Sequence, residues 1–207
     1  MVAGEKMVGS DGKEVMLFPL PYMYISQGEG ESYSHAGTYN VDFLGWDSNG
    51  RVYHAPYYAP CSCRCVNTFT EDHGRIYQSL DLVHTPNGLQ YVNFLFFHDD
   101  NPLSFVGTVY SQGDLIGHTG TYSNVGDHVH FNCANGTYQG YEHVPPDNQG
   151  QLINSTHIYD ICYVNDTVLV EDYNYSWQYY TGDLSIRKKE KFPWVLYANK
   201  LRNHLTF

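Results

Sequence analysis

The pair of residues best spaced for joint chemistry in this sequence is His128 and His130, in Gly126-Asp-His-Val-His-Phe-Asn. If 128–131 is a strand, alternation sends both imidazoles to one face and Val129 and Phe131 to the other. With the apolar pair buried, the histidines line a groove, where imidazoles hold metal ions or move protons. Two further segments carry compatible groups. Ser32-Tyr-Ser-His-Ala-Gly-Thr-Tyr-Asn-Val-Asp-Phe presents His35 and Asp42 about a loop containing Gly37. In a Val41-Asp42-Phe43 strand the acid projects opposite its apolar neighbours, where it must be solvated, hydrogen-bonded or bound to a cation. Asn93-Phe-Leu-Phe-Phe-His-Asp-Asp puts His98 where a very hydrophobic strand meets a polar turn. There it is placed for chemistry, for capping the strand, or for pairing with Asp99 or Asp100.

Strands must position these groups. Aromatic residues make up 16% of the 207, with 20 tyrosines, while only 16% are charged, a balance that favours strands over solvated helices. The fold class expected is mostly β, an antiparallel β-sheet core with a groove walled by loops and little helix. The length supports one core. Residues 1–30 read as an N-terminal arm with strand character near Tyr22 to Ser26, 31–140 as the core, and 141–207 as an extension packed on or completing the same domain. Asn87-Gly88 between the apolar runs Ile76–His84 and Leu89–His98 signals a long hairpin. Ser155–Asn165 and Thr167–Glu171 look strand-like. The basic run after Ile186 and the apolar segment from Pro193 read as a solvated turn and an element completing the fold.

The formal net charge of −11 disfavours partners that are nucleic acids or anionic surfaces, because phosphates would meet like charge. No stretch reaches membrane-spanning length, and the opening residues do not resemble a signal peptide. Cys61, Cys63, Cys65, Cys133 and Cys162 are an odd and sparse set for a disulfide scaffold, which fits a reducing cytoplasm. Cys61-Ser-Cys-Arg-Cys lacks the wider gaps of zinc-binding cysteine pairs, so these thiols read as structural.

In order and interval together, His35…Asp42, the strand-end His98, Gly113-Asp-Leu-Ile-Gly-His-Thr-Gly and Gly126-Asp-His-Val-His-Phe resemble the lysostaphin/LytM-type zinc metallopeptidases, which cut peptide bridges in bacterial cell walls. The resemblance covers roughly residues 31 to 135. It implies one zinc ion held by His35, Asp42 and His130, with His98 and His128 as unliganded catalytic histidines. Two imidazoles and a carboxylate leave a fourth tetrahedral position open, as a catalytic zinc requires. It also implies an endopeptidase acting on bacterial peptidoglycan. Two departures stand out: the interval from His35 to Asp42 exceeds the His-x-x-x-Asp of many relatives, and Asn132 stands where the family usually has Glu. The segment from Ser155 and the tail look similar to continuations in phage-borne peptidases. That implies a tail-tip or tail-knob hydrolase or an endolysin domain, made in the host cytoplasm without a signal peptide. It would act at the wall, as a virion component with other tail proteins as partners. The rival expectation is a catalytically degenerate structural or glycan-binding module of a phage tail, its tyrosine faces stacking on sugars.

Overall fold

The computed structural model describes residues 1–31, 34–144, 149–165, 169–171, 176–180 and 187–188. The apolar segment expected from Pro193, and most of the basic run before it, lie outside the described residues.

Val92–Phe97 is apolar but for Asn93 and buried at every position, which places it in the middle of the sheet. It pairs antiparallel with Arg75–Ser79 on one side and Val129–Asn135 on the other. Outward from Arg75–Ser79 lie Cys63–Thr68 and Val109–Tyr110. Outward from Val129–Asn135 lie Val41–Leu44 and then Tyr22–Gln27, the strand expected near Tyr22, with Leu169–Glu171 added in parallel at that edge. The protein is thus mostly β and dominantly antiparallel, as its composition suggests. The expected hairpin is present: Arg75–Ser79 runs antiparallel to Val92–Phe97, and its tip pairs Val83–Thr85 with Gly88–Gln90. The chain reverses through Pro86-Asn87 and leaves the turn on Gly88, at a φ of 112° that favours glycine.

The strand-like reading of Ser155–Asn165 is corrected in its middle. Ser155–Thr156 is a strand, but Ile158–Ile161 forms the single α-helix among the described residues. A helical turn brings Ile158 and Ile161 to one buried face, whereas strand alternation would put Asp160 beside Ile158.

Alternation along Val129–Asn135 separates two layers. Val129, Phe131 and Cys133 enter the main core with Val41, Phe43, Phe94, Phe96 and Tyr77. On the opposite face Ala134 joins a smaller cluster of Ile76, Leu95, Phe97 and Leu152, with Tyr138 and Tyr141 packed against it. His130 shares that second face and is directly opposite Asp42 on one neighbour and Phe97 on the other. All five cysteines are free and buried in the main core. Burial pushes the Cys61, Cys63 and Cys133 thiols well up and Cys65 up to about 11, which suits packing rather than reactivity. No helix among the described residues is long and apolar enough to cross a membrane.

Phe131 is fully buried, stacked on Phe96 at 4.8 Å and tilted against Phe43 at 6.4 Å. Phe131→Ala is expected to cost about 3–5 kcal/mol of stability in urea unfolding, by leaving a cavity beneath the histidine strand. A loss below about 1 kcal/mol would show that this layer does not support the sheet.

Candidate metal centre

Three side chains converge where Val41–Leu44 meets Val129–Asn135. Asp42 Oδ1 lies 3.0 Å from His130 Nδ1 and 3.3 Å from His35 Nε2. Ligands about 2.0–2.1 Å from a tetrahedral zinc stand about 3.3 Å apart, so these separations fit one shared ion. All three residues are buried, and one ligand atom from each lies within 4.8 Å of the others. His35 Nδ1–H donates to the Gly28 carbonyl at 3.1 Å, which leaves the Nε2 lone pair aimed at Asp42. His35 Nε2, which faces Asp42, is buried with no hydrogen-bond partner, so this donor is not saturated by the protein; the other orphaned ring nitrogen is His130 Nε2, not the Nδ1 that meets Asp42.

Electrostatics agree with a ligand set. Burial alone would raise the Asp42 carboxyl, but the imidazoles around it, His130 at hydrogen-bond distance first and then His35 and His128, hold it well below the usual carboxylate range. Burial lowers the His130 pKa against the opposing pull of Asp42, favouring the neutral ring that a metal needs.

The other two histidines border the same space. His98 directly follows Val92–Phe97 in a left-handed conformation, φ 77°, and its Nδ1–H donates to the Tyr122 carbonyl at 3.1 Å. His128 Nδ1–H donates to the Gly126 carbonyl at 2.6 Å, and its Nε2 lies 3.5 Å from Asp42 Oδ2. A carbonyl only accepts, so both rings carry the proton on Nδ1 and present Nε2 for exchange. The ring centroids are 4.6 Å apart. Burial, and then the His130 and His128 rings, push the His98 pKa down to about 4, so it is a neutral base near pH 7. The strand begins at Val129, one residue later than the sequence suggests, and His128 instead bridges to Gly120.

All five sequence-derived residues therefore come together. The wide interval after His35 is taken up by a turn in which Thr38 N–H donates back to the His35 carbonyl at 3.0 Å, through Gly37 at φ 74°. Asn132 does not support a histidine ring; it binds Leu152 N–H at 3.0 Å and Ser155 Oγ at 2.7 Å. Of the other histidines in the region, His73 stacks on Tyr122 in the wall beside His98 and hydrogen-bonds the Asp99 carbonyl at 2.7 Å. His54 lies 3.4 Å from Asp100, and His84 pairs with Asp11 away from the site. Tyr122 and the carbonyls of Gly28 and Gly126 leave no signal in the sequence, because backbone partners carry no residue-type signature. Left-handed Asp72, His73, His98, Ser123 and Asn124 cluster in these walls, a concentration of backbone strain typical of functional sites.

No family model matches the chain. Over 173 residues it is 35% identical to morphogenesis protein 1 of Bacillus phage B103, covering 82% of this chain and 46% of that protein. The chain thus spans about half the length of this curated relative. Among solved structures it is similar to the catalytic domain of the antimicrobial peptidase lysostaphin from Staphylococcus simulans, at 17% identity, 56% of this chain, 84% of that chain and a TM-score of 0.40. It is also similar to a zinc-containing peptidase from Vibrio cholerae, at 15% identity, 71% of this chain, 44% of that chain and a TM-score of 0.41.

Two histidines on one strand face are expected to behave differently on truncation. His130→Ala should lose bound zinc, because two protein ligands make an incomplete site, whereas His128→Ala should keep close to one zinc per chain. Metal analysis by plasma mass spectrometry after gentle purification checks this; the reverse pattern would invert the two roles.

Proposed function

We propose that this chain is a zinc-dependent endopeptidase that hydrolyses an amide bond in the peptide stem or cross-bridge of bacterial peptidoglycan. The observation that carries the reading is the pairing of two sets of groups in one space. His35, Asp42 and His130 have the spacing of a three-ligand site, and His98 and His128 border it with Nδ1–H on a carbonyl and Nε2 left for exchange. A structural zinc would use four protein ligands and would need no unliganded bases beside it. Bound zinc supplies a Lewis acid that brings the pKa of a water toward neutrality.

The chain's own residues supply the rest. His98, kept neutral by burial, takes a proton from the attacking water on Nε2, while its Nδ1–H stays on the Tyr122 carbonyl. His128, with its Nδ1–H on the Gly126 carbonyl, offers Nε2 as the second site for that proton, from which it donates to the substrate oxygen that becomes negative. The proton taken up by the pair then leaves on the departing amine, which restores both rings. His73 and Tyr122 wall the groove on the His98 side. Similarity to a phage morphogenesis protein supports a place in a virion; action at the host wall beside other virion tail proteins is part of the proposal.

Incubation with purified cell wall should release new amino groups without new reducing ends. A chelator should abolish the release and added zinc restore it. His98→Ala should lower the rate by about 10²-fold or more while zinc is retained. Binding to wall without release, or release of reducing ends, would refute the peptidase in favour of a binding module or a glycosidase.

A further inference from the structure

We propose that His118–Tyr122 is a spacer that sets the separation of His98 and His128, and that Asp127 is a positioning residue acting through it. The inference rests on the reading of those two histidines as the catalytic pair. One edge of the spacer is fastened to the turn that carries His98. His118 N–H donates to Asp99 Oδ2 at 2.9 Å, and Thr121 N–H donates to the Asp100 carboxylate at 3.1 Å. Tyr122 closes the ring by donating N–H to the His98 carbonyl at 3.3 Å and accepting from its Nδ1 at 3.1 Å. The other edge is fastened to His128. Gly120 and His128 exchange backbone hydrogen bonds at 3.0 and 3.1 Å, and Thr119 Oγ1 donates to Asp127 Oδ1 at 2.7 Å.

Asp127 is 4% exposed, and its second oxygen accepts from His54 N–H at 3.0 Å. Arg51 donates to its main-chain carbonyl. The residue is thus held on three sides, and what it holds is the short Gly126–His128 approach, in which the Gly126 carbonyl fixes the tautomer of His128. Thr119 is locked in turn by two hydrogen bonds with Ala55, both 2.9 Å. Gly120 sits at the tightest point. A Cβ there would stand 2.1 Å from the His98 carbonyl oxygen and 2.8 Å from Asp100 N, both backbone atoms. Glycine is required here for space, and any side chain must push the His98 turn away from His128.

The test uses the full zinc-loaded chain with Gly120→Ala, Asp127→Asn, Thr119→Val and Thr119→Ser. Two readouts are taken: steady-state kinetics on a soluble wall peptide, and side-chain ¹⁵N shifts of His98 and His128. Gly120→Ala and Asp127→Asn should lower kcat by about 10-fold or more at unchanged KM and unchanged zinc content, the scale of a small misplacement of reacting groups. The His128 nitrogens should move from a pure Nδ1–H pattern toward a mixture of tautomers. Thr119→Val, which removes the same hydrogen bond, should show the same loss and stands in for Asp127→Asn if that variant fails to fold, and Thr119→Ser, which keeps the hydroxyl, should keep the wild-type values. Folded variants with wild-type kcat and unmoved histidine shifts would overturn the spacer, as would losses confined to KM or zinc. If the unaltered chain cleaves no wall peptide, the peptidase reading fails, and the ¹⁵N shifts still decide whether the spacer holds the rings.

Discussion

The buried carboxylate of Asp42 is the constraint around which the rest of the structure is arranged. Taking an ion of this kind out of water costs several kcal/mol unless it is paired and hydrogen-bonded. Here His130 Nδ1 hydrogen-bonds it at 3.0 Å, and the Nε2 atoms of His35 and His128 face it at 3.3 and 3.5 Å, where a bound cation would complete the pairing. Meeting it requires Val41–Leu44 to pair with Val129–Asn135 in the one register that sets His130 opposite Asp42. A slip of one residue would turn one of the two strands over relative to the other and send Asp42 or His130 into the apolar layer occupied by Val41, Phe43, Val129 and Phe131. The main core and the polar centre therefore specify the same pairing from opposite faces of the sheet.

Delivery of His35 draws in a distant part of the chain. Its loop is tied to residues 150–158: Asn40 Nδ2 donates to the Gly150 carbonyl at 3.0 Å, Tyr39 N–H to Gln151 Oε1 at 3.2 Å, and His157 pairs with Glu29 at 2.5 Å. Glu29 is next to Gly28, whose carbonyl holds the His35 ring. The centre is thus built from more than the segments that carry its motifs. Residues after 140 buttress the ligand loop and, through Leu152 and Tyr141, cover the face of the sheet on which His130 lies.

Alternation made the strand class and the facing of His130 and Asp42 legible, because a period of two leaves few ways to bury Val41, Phe43, Val129 and Phe131. The grouping of His98 with the others was legible only through family resemblance, since a histidine at a strand end has several bland uses. The sequence pattern misled at Ile158–Ile161, where short apolar runs fit strand and helix alike and only the burial of both isoleucines decides. It was silent on the carbonyls of Gly28, Tyr122 and Gly126 that fix the three ring tautomers, and on the contact between Gly120 and the His98 carbonyl. Those depend on backbone paths, which residue types do not encode one by one.

Anomalous diffraction at the zinc edge, from crystals of the zinc-loaded protein, decides whether His35, Asp42 and His130 hold the ion. That assignment requires one peak about 2.0–2.1 Å from the Asp42 carboxylate and from one ring nitrogen each of His35 and His130, with His98 and His128 beyond bonding distance. A peak held by His98 or His128, or zinc bound only at surface acids, would contradict it.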